Sequence, residues 1–337
     1  MTEVYLKPNP ASEFDVAGMG SALLDFTVKI GDDVVGALKL TKAGMQLVDA
    51  ARSGEILSYL KKNSYLIETS PGGSAANTLA GIANFGGRAV LFGRVGQDAQ
   101  GDLYMAETEK AGVKANLGRD SSATGHAITF ITPDGERSFA THLGAALSLT
   151  KSDLDPLIIS KSKIIHVEGY LFEPPNLREA CFFAIKTAKE SGVLVSIDLS
   201  DPGLIRRIHG VFGEALKAGT DIIFANEDEA RAFTGFEDEK ACGALSGLCS
   251  FAAVKLGERG SIIRTGGKTY RIPARKTEVA NTNGAGDMYA SGVLFGIARG
   301  YSPEECGRLG SYAASLVVAQ AGARISGRID PKAMIFS

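Results

Sequence analysis

No charge of either sign dominates this 337-residue chain, in which 36 Lys and Arg stand against 38 Asp and Glu. Without a basic or acidic excess there is no global field to recruit nucleic acid or a membrane surface. Cysteine is scarce, and the four present (Cys181, Cys242, Cys249, Cys306) are scattered, with no C-x-x-C pair and no paired histidine. That spacing argues against a disulfide framework or a zinc site and fits a reducing compartment. The four histidines form no cluster, and none is assigned a role. No run approaches the roughly 18–20 apolar residues of a membrane span. The first fifteen residues are polar, carry Pro8 and Pro10, and lack the charged-then-apolar plan of a signal peptide. Internal repeats and low-complexity linkers are missing as well. The expectation is a cytoplasmic chain long enough to bury a substantial core, as one large domain or two.

What the chain has in quantity is glycine, 41 residues, as short β–α connections require. Strand-like apolar runs at 89–92, 164–167, 193–197, 221–225 and 251–256 alternate with helical periods at 99–111, 176–190 and 203–216. Near-continuous apolar strands separated by helices predict an α/β chain, with a mostly parallel, doubly wound sheet covered on both faces. Ser302, Pro303 and Glu305 supply an N-cap, a first-turn proline and a capping-box acid for a helix running towards Ala319. Two segments break the rhythm. Residues 127–132 and 137–142 alternate on either side of Pro133-Asp134-Gly135, which predicts a β-hairpin with one wet face. Residues 24–40 also read as strand-like, with a helical stretch at 43–61 after them.

The most informative seven residues are Asn281-Thr282-Asn283-Gly284-Ala285-Gly286-Asp287, between a strand-like run (269–273) and a helix-like one (288–298). A Gly-Ala-Gly turn there leaves backbone N–H groups uncovered at the positive end of a helix dipole, a seat for an anion, above all phosphate. Asp287 repels an anion, so its plausible work is to take a proton from a hydroxyl attacking phosphorus. The plainer reading is a glycine-rich turn with Asp favouring the first helical turn. Two glycine-rich stretches are decoys. Gly266-Gly267-Lys268-Thr269 lacks the upstream glycine of a P-loop and reads as a hairpin turn. Gly18-Met19-Gly20 lacks the third glycine of a dinucleotide fingerprint and is followed by strand.

Other residues admit two readings from the sequence alone. Asp25 is either a turn residue or a carboxylate for two vicinal sugar hydroxyls. Gly72 and Gly73 make either a plain turn capped by Ser74 or a close backbone approach to a sugar, with Asn77 reaching a hydroxyl. Asn226 with Glu229 three residues on is a capping box after a strand.

The 281–287 run resembles the D-T-x-G-A-G-D signature of the ribokinase/PfkB family of carbohydrate and nucleoside kinases. The stretch Pro71-Gly72-Gly73-Ser74-Ala75-Ala76-Asn77, continued by Gly93-Arg94-Val95-Gly96-Gln97-Asp98, resembles that family's N-terminal signature. The resemblance extends from about residue 16 to about residue 329, with Asn281 where the family has Asp. It implies a ribokinase-like three-layer α/β/α sandwich over residues 1–337, a single kinase domain with a small β-sheet lid (22–40 and 124–143) that covers the acceptor and excludes water. It also implies ATP as phosphate donor, with Mg²⁺ held largely through ATP oxygens and water. Asp287 would be the base, and the amides of Gly284, Ala285 and Gly286 an anion hole. Asp25, Gly72, Gly73 and Asn77 would hold the sugar, Tyr170 would stack on a base, and Arg137 would reach the transferred phosphate. On the nucleotide side would stand Asn226, Lys255, Gly257, Gly260, Asn281, Ser311 and Ala314, with Glu229 serving the metal through water. The family's monovalent cation site draws on the first Asp of the motif, so Asn281 implies weak K⁺ dependence.

Residues 18–25, 40–49 and 310–315 look more like adenosine kinases than ribokinases. Ser21, however, replaces the Asn usual in adenosine kinases, and Tyr170-Leu171-Phe172 is not their paired Phe. The expected acceptor is therefore the 5′-hydroxyl of adenosine or a related ribonucleoside. The alternative is a free sugar or sugar acid, as in kinases of the ribokinase, fructokinase or 2-keto-3-deoxygluconate type. A non-catalytic nucleotide or nucleoside sensor is a third reading, favoured by Asn281 and opposed by Asp287. Partners are limited to these small molecules, and the chain is expected to be a monomer or homodimer.

Overall fold

The computed structural model describes residues 6, 8–320 and 322–332. First come β1 (Phe14–Met19), β2 (Leu23–Lys29), α1 (Asp32–Ala37), β3 (Met45–Leu47), α2 (Ala50–Lys62) and β4 (Glu68–Pro71). They lead to α3 (Ser74–Asn84), β5 (Ala89–Gly96), α4 (Ala99–Lys110), β6 (Val113–Asp120), β7 (Gly125–Ile131) and β8 (Arg137–His142). A β–α series follows: α5 (Pro156–Ser160), β9 (Ser162–Glu168), α6 (Pro175–Glu190), β10 (Leu194–Asp198), α7 (Pro202–Lys217) and β11 (Ile222–Asn226). Last are α8 (Glu227–Thr234), α9 (Asp238–Leu245), β12 (Phe251–Lys255), β13 (Ser261–Thr265), β14 (Lys268–Ile272), α10 (Ala285–Arg299) and α11 (Pro303–Val318).

Nine strands form one sheet in the order β14-β13-β12-β11-β10-β9-β1-β5-β6. It is parallel from β12 to β6, and at one edge β13 runs the other way, so that its pairings with β12 and β14 are antiparallel. Successive residues of a strand face opposite ways, and here both faces are covered. Ala17 and Met19 pack in a cluster with Leu177 of α6 and Leu204 of α7. Val16 joins Leu79 of α3 and Val293 of α10 on the other side. Burial on both faces makes three layers and explains why β1 is buried at every position. Local signals start the helices as expected. Asp201 caps α7 by accepting from Leu204 N, and the Ser302–Glu305 capping box opens α11. Gly266 and Gly267, both at positive φ, turn β13 into β14.

The second sheet has five strands, in the order β3-β8-β7-β2-β4. The β7–β8 hairpin lies where the sequence predicts it, but the sheet is mixed rather than antiparallel, because β2 runs parallel to β7 and β3 to β8. Residues 24–40 are not strand throughout. Strand β2 stops at Lys29, and α1 follows, with Asp32 and Asp33 in its first turn and Val34 and Val35 buried. The helical reading of 43–61 is wrong at its start, since Met45–Leu47 is a strand and α2 begins only after Asp49, whose side chain accepts from Arg52 N. Ser74 does not cap α3 either: Gly73 occupies that place at φ +90°.

The carboxyl ends of the parallel strands carry polar residues on otherwise apolar runs: Glu168, Asp198, Asn226 and Lys255. The order of strands reverses between β1 and β9, and the crevice outside such a switch point is where open α/β sheets bind ligands.

Candidate active site

Gly284 caps α10 in the left-handed region, at φ +76°. A Cβ there would also stand 2.5 Å from Ala323 O, so the turn needs glycine twice over. Asn281 Oδ1 accepts from Asn283 N at 2.8 Å, and Asn281 N donates to Val318 O, which together set the loop ahead of the turn. Asp287 sits in the first turn of α10. Its Oδ1 accepts from Ser74 Oγ at 2.7 Å and its Oδ2 from Asn77 Nδ2 at 2.9 Å. Burial pushes its carboxyl up to about 7, against the pull of the Asn77 and Ser74 hydrogen bonds. Both donors leave lone pairs on the carboxylate, so the group can exchange a proton near neutrality.

Lys255 ends β12 with Nζ donating to Asp198 Oδ2 at 2.9 Å. A Cβ on Gly286 would lie 3.1 Å from that Nζ, which places the ammonium beside the amides at the start of α10. Burial disfavours the charge, but the carboxylates of Asp198 and Glu229 outweigh it and hold Lys255 up at about 12. Glu229 accepts from Asn226 N and Nδ2, both at 2.7 Å, and Asn226 Oδ1 accepts from Glu229 N. Its carboxyl is pushed up, by burial above all. These groups line a cleft of about 1350 Å³, to which Val279, Ala314 and Val318 add apolar surface.

Most of the sequence-predicted nucleotide residues line this cleft: Asn226, Glu229, Lys255, Gly257, Gly260, Ser311 and Ala314, with Ala285, Gly286 and Asp287. Ser311 Oγ donates to Pro273 O and accepts from Arg275 N, fastening α11 to the loop that leaves β14. Asn281 and Gly284 do not line the cleft, and the Ala285 amide already donates to Thr282 O at 3.2 Å, so the expected three-amide anion hole is not wholly open. Tyr170 also lines the cleft, donating its hydroxyl to Ser200 O among the acids Asp201, Glu229, Glu168 and Asp198.

The predicted sugar residues form an adjoining cluster. Asp25 lies within β2 rather than at the end of a strand. Its carboxylate is so close over Gly72 that a Cβ there would be 2.5 Å from Oδ2, and one on Gly73 would be 2.3 Å from Ser21 O. Burial raises the Asp25 carboxyl to about 6, opposed by the charge of Arg324. Asn77 joins this cluster to Asp287. Arg137 opens β8 opposite Ile131 and does not line the cleft.

Four neighbours escaped the sequence reading. Ser74 stood inside a recognised motif but read as a cap. Glu168 and Asp198 end apolar strands, a signal that was there to find. Glu168 accepts from Ser21 N at 2.7 Å and from Ala75 N at 3.0 Å, tying the turn after β1 to the start of α3. Arg324 had no signal at all. Among the described residues, no group of three or more His, Cys, Asp or Glu is placed to hold a metal ion, and no helix is long and apolar enough to cross a membrane.

An anion-seating turn, a neighbouring ammonium and a carboxyl poised near neutrality are what phosphoryl transfer uses. Residues 54–329 match the pfkB family carbohydrate kinase description. The chain belongs to the PfkB family. The PfkB chain is similar to the adenosine kinase structure from Sinorhizobium meliloti, with 35% identity, 97% of this chain and 100% of that one covered, and a TM-score of 0.87. A probable sugar kinase from Rhizobium etli CFN 42 matches at 35% identity over 96% and 98% of the two chains, also with a TM-score of 0.87. The adenosine kinase of Saccharomyces cerevisiae is 28% identical over 326 residues, covering 90% of this chain and 94% of its own. Chemistry in this PfkB chain is accordingly transfer of a phosphoryl group from ATP to a sugar or nucleoside hydroxyl.

Proposed function

We propose that the protein phosphorylates the 5′-hydroxyl of adenosine or a related ribonucleoside. The observation that carries this reading is the part-buried Asp287 carboxyl, raised to about 7, in the first turn of α10 with Gly286 and the Lys255 ammonium beside it. As the acceptor hydroxyl attacks the γ-phosphorus, Asp287 takes its proton, the bond from that phosphorus to the β,γ-bridging oxygen breaks and ADP leaves; the ionised form of Asp287 is the competent one. Charge developing on the phosphoryl oxygens meets the α10 amides and the Lys255 ammonium. Asp25, over Gly72 and Gly73, accepts hydrogen bonds from the sugar hydroxyls. Gly257, Gly260, Ser311, Ala314 and Asn226 flank the nucleotide in the cleft that Tyr170 also lines.

Mg²⁺ fits the donor set in an outer position. Glu229 keeps a free lone pair on each oxygen for a coordinated water, while ATP oxygens supply direct ligands. When bound, the ion neutralises the phosphate charge.

The choice of a nucleoside is supported by 35% identity to the Sinorhizobium adenosine kinase over nearly the whole of both chains, together with the likeness of residues 18–25, 40–49 and 310–315 to adenosine kinases. A free sugar or sugar acid is the second reading, supported by the equal identity to the Rhizobium etli sugar kinase. Acceptor-dependent ADP release, measured across nucleosides, pentoses, hexoses and keto-sugar acids, tests the proposal. A hexose or sugar acid used at least tenfold more efficiently than adenosine would overturn the nucleoside assignment. No turnover with any acceptor would favour a non-catalytic sensor.

A further inference from the structure

The segment after α11 brings a cation to the acceptor side of the site. Arg324 Nε donates to Asn77 Oδ1 at 2.9 Å, and Nη2 donates to Gly72 O at 3.1 Å. The backbone around it is anchored on both sides. The Gln320 side chain donates to Arg324 O, and Asn84 Nδ2 donates to Ile325 O at 3.0 Å. Its neighbours include the Asp25 carboxylate and the Tyr104 hydroxyl, the latter also donating to Gly72 O.

A primary amide has two ways round, and the two are not equivalent here. A guanidinium only donates, and a carboxylate only accepts. With Arg324 on one side of Asn77 and Asp287 on the other, only one orientation satisfies both. The amide oxygen faces Arg324 and the NH₂ faces Asp287 Oδ2. Turned over, the NH₂ would meet a donor and the oxygen would meet a carboxylate. The fork of Arg324 grips two points that belong to one turn, Gly72 O and Asn77 Oδ1, so it also sets how the glycine pair lies against Asp25.

We propose that Arg324 is a positioning residue for phosphoryl transfer, locking the Asn77 amide so that it orients the Asp287 carboxylate towards the acceptor. This rests on the reading of Asp287 as the base. Its effect passes through Asn77, so the two residues act as a unit in the catalytic step.

The test compares wild type, Arg324→Met, Arg324→Lys, Asn77→Ala and the Arg324→Met/Asn77→Ala pair. Arg324→Met should lower kcat about tenfold, the worth of one well-made hydrogen bond, with ATP Kd unchanged. In the Asn77→Ala background the same substitution should cost little more, since groups acting through one another are not additive. Arg324→Lys, with one donor centre instead of two, should fall between. Wild-type kcat in Arg324→Met, or fully additive losses in the pair, would overturn the proposal. Should Arg324→Met not fold, Arg324→Lys decides, and wild-type kcat in it would overturn the proposal equally. A second readout is independent of turnover. The Asn77 side-chain amide resonance, assigned by its loss in Asn77→Ala, should track the Asp287 titration in wild type and lose that dependence when Arg324 is replaced. An unchanged dependence counts against Arg324 even if no acceptor is ever phosphorylated, whereas absent turnover alone counts against the kinase reading.

Discussion

Asp287 is part-buried and meets two hydrogen-bond donors, and the balance between desolvation and those bonds decides its working range. Burial wins, leaving the carboxyl near 7. On the proposed mechanism the ionised form takes the proton, so kcat should rise with pH through about 7 and then level. Acceptor kcat/KM should show a further acid limb near 6 from Asp25. Replacing Asp287 by Asn keeps the shape but removes the base, so kcat should drop by roughly 10²–10⁴. ATP Kd should hold, because the nucleotide meets amides and the Gly257–Gly260 loop. Nearly normal kcat would reduce Asp287 to a helix-starting residue. For Asp25→Ala, loss of a buried charge-assisted hydrogen bond of about 1.5–3 kcal/mol should raise acceptor KM by one to two decades. An unchanged KM would remove Asp25 from the acceptor site. At this scale Asp287, Gly72 and Asn77 were readable because they lie in short motifs. Arg324 was not, because its partners lie 247 and 252 positions earlier in the chain, and no local pattern marks such a meeting.

The decisive element is the loop that enters α10. Gly284→Ala would force a side chain into the left-handed region and against Ala323 O, a strain of roughly 1–3 kcal/mol. Urea unfolding should report that loss, and ATP affinity should fall with it because the amides shift. Asn281 has already engaged its oxygen with Asn283 N and carries no charge, so K⁺ should stimulate little over an inert cation at matched ionic strength. Strong stimulation would show that backbone carbonyls suffice for a cation site. Elements were legible in proportion to their burial. Strands β9 to β12 are covered on both faces and announce themselves as apolar runs. The six-residue α1 is too short to show a helical period. Strand β3 has three residues and exists through its pairing with β8, nearly a hundred positions away.

Across the whole molecule, α10 runs from the glycine turn at Gly284 to a buried charge cluster at the opposite end of the sheet. There Asp15, fully buried, accepts from Lys163 Nζ at 2.9 Å and from Arg299 Nη1 and Nη2 at 3.1 and 3.0 Å. Asp15→Ala would strand the buried Lys163 ammonium and should cost about 3–5 kcal/mol of stability. ATP and acceptor KM should stay as they are, provided the assay runs well below the lowered melting temperature.

The raised carboxyl that the proposed proton transfer would use at Asp287 works against the folded state. An Asp titrates near 4 in an unfolded chain and near 7 here, so the native protein binds that proton more tightly. Stability is then unaffected below about pH 4, declines as pH rises towards 7, and stays reduced above it. Asp287→Asn escapes the penalty without orphaning its neighbours: its Oδ1 can still accept from Asn77, and the Ser74 hydroxyl can turn to accept from its NH₂. The inactive variant should therefore melt at a higher temperature than the wild type at pH 8, with the gap closing as the pH is lowered towards 4. Thermal unfolding across that range measures it directly, and the proposed base is then a residue that folding alone would discard.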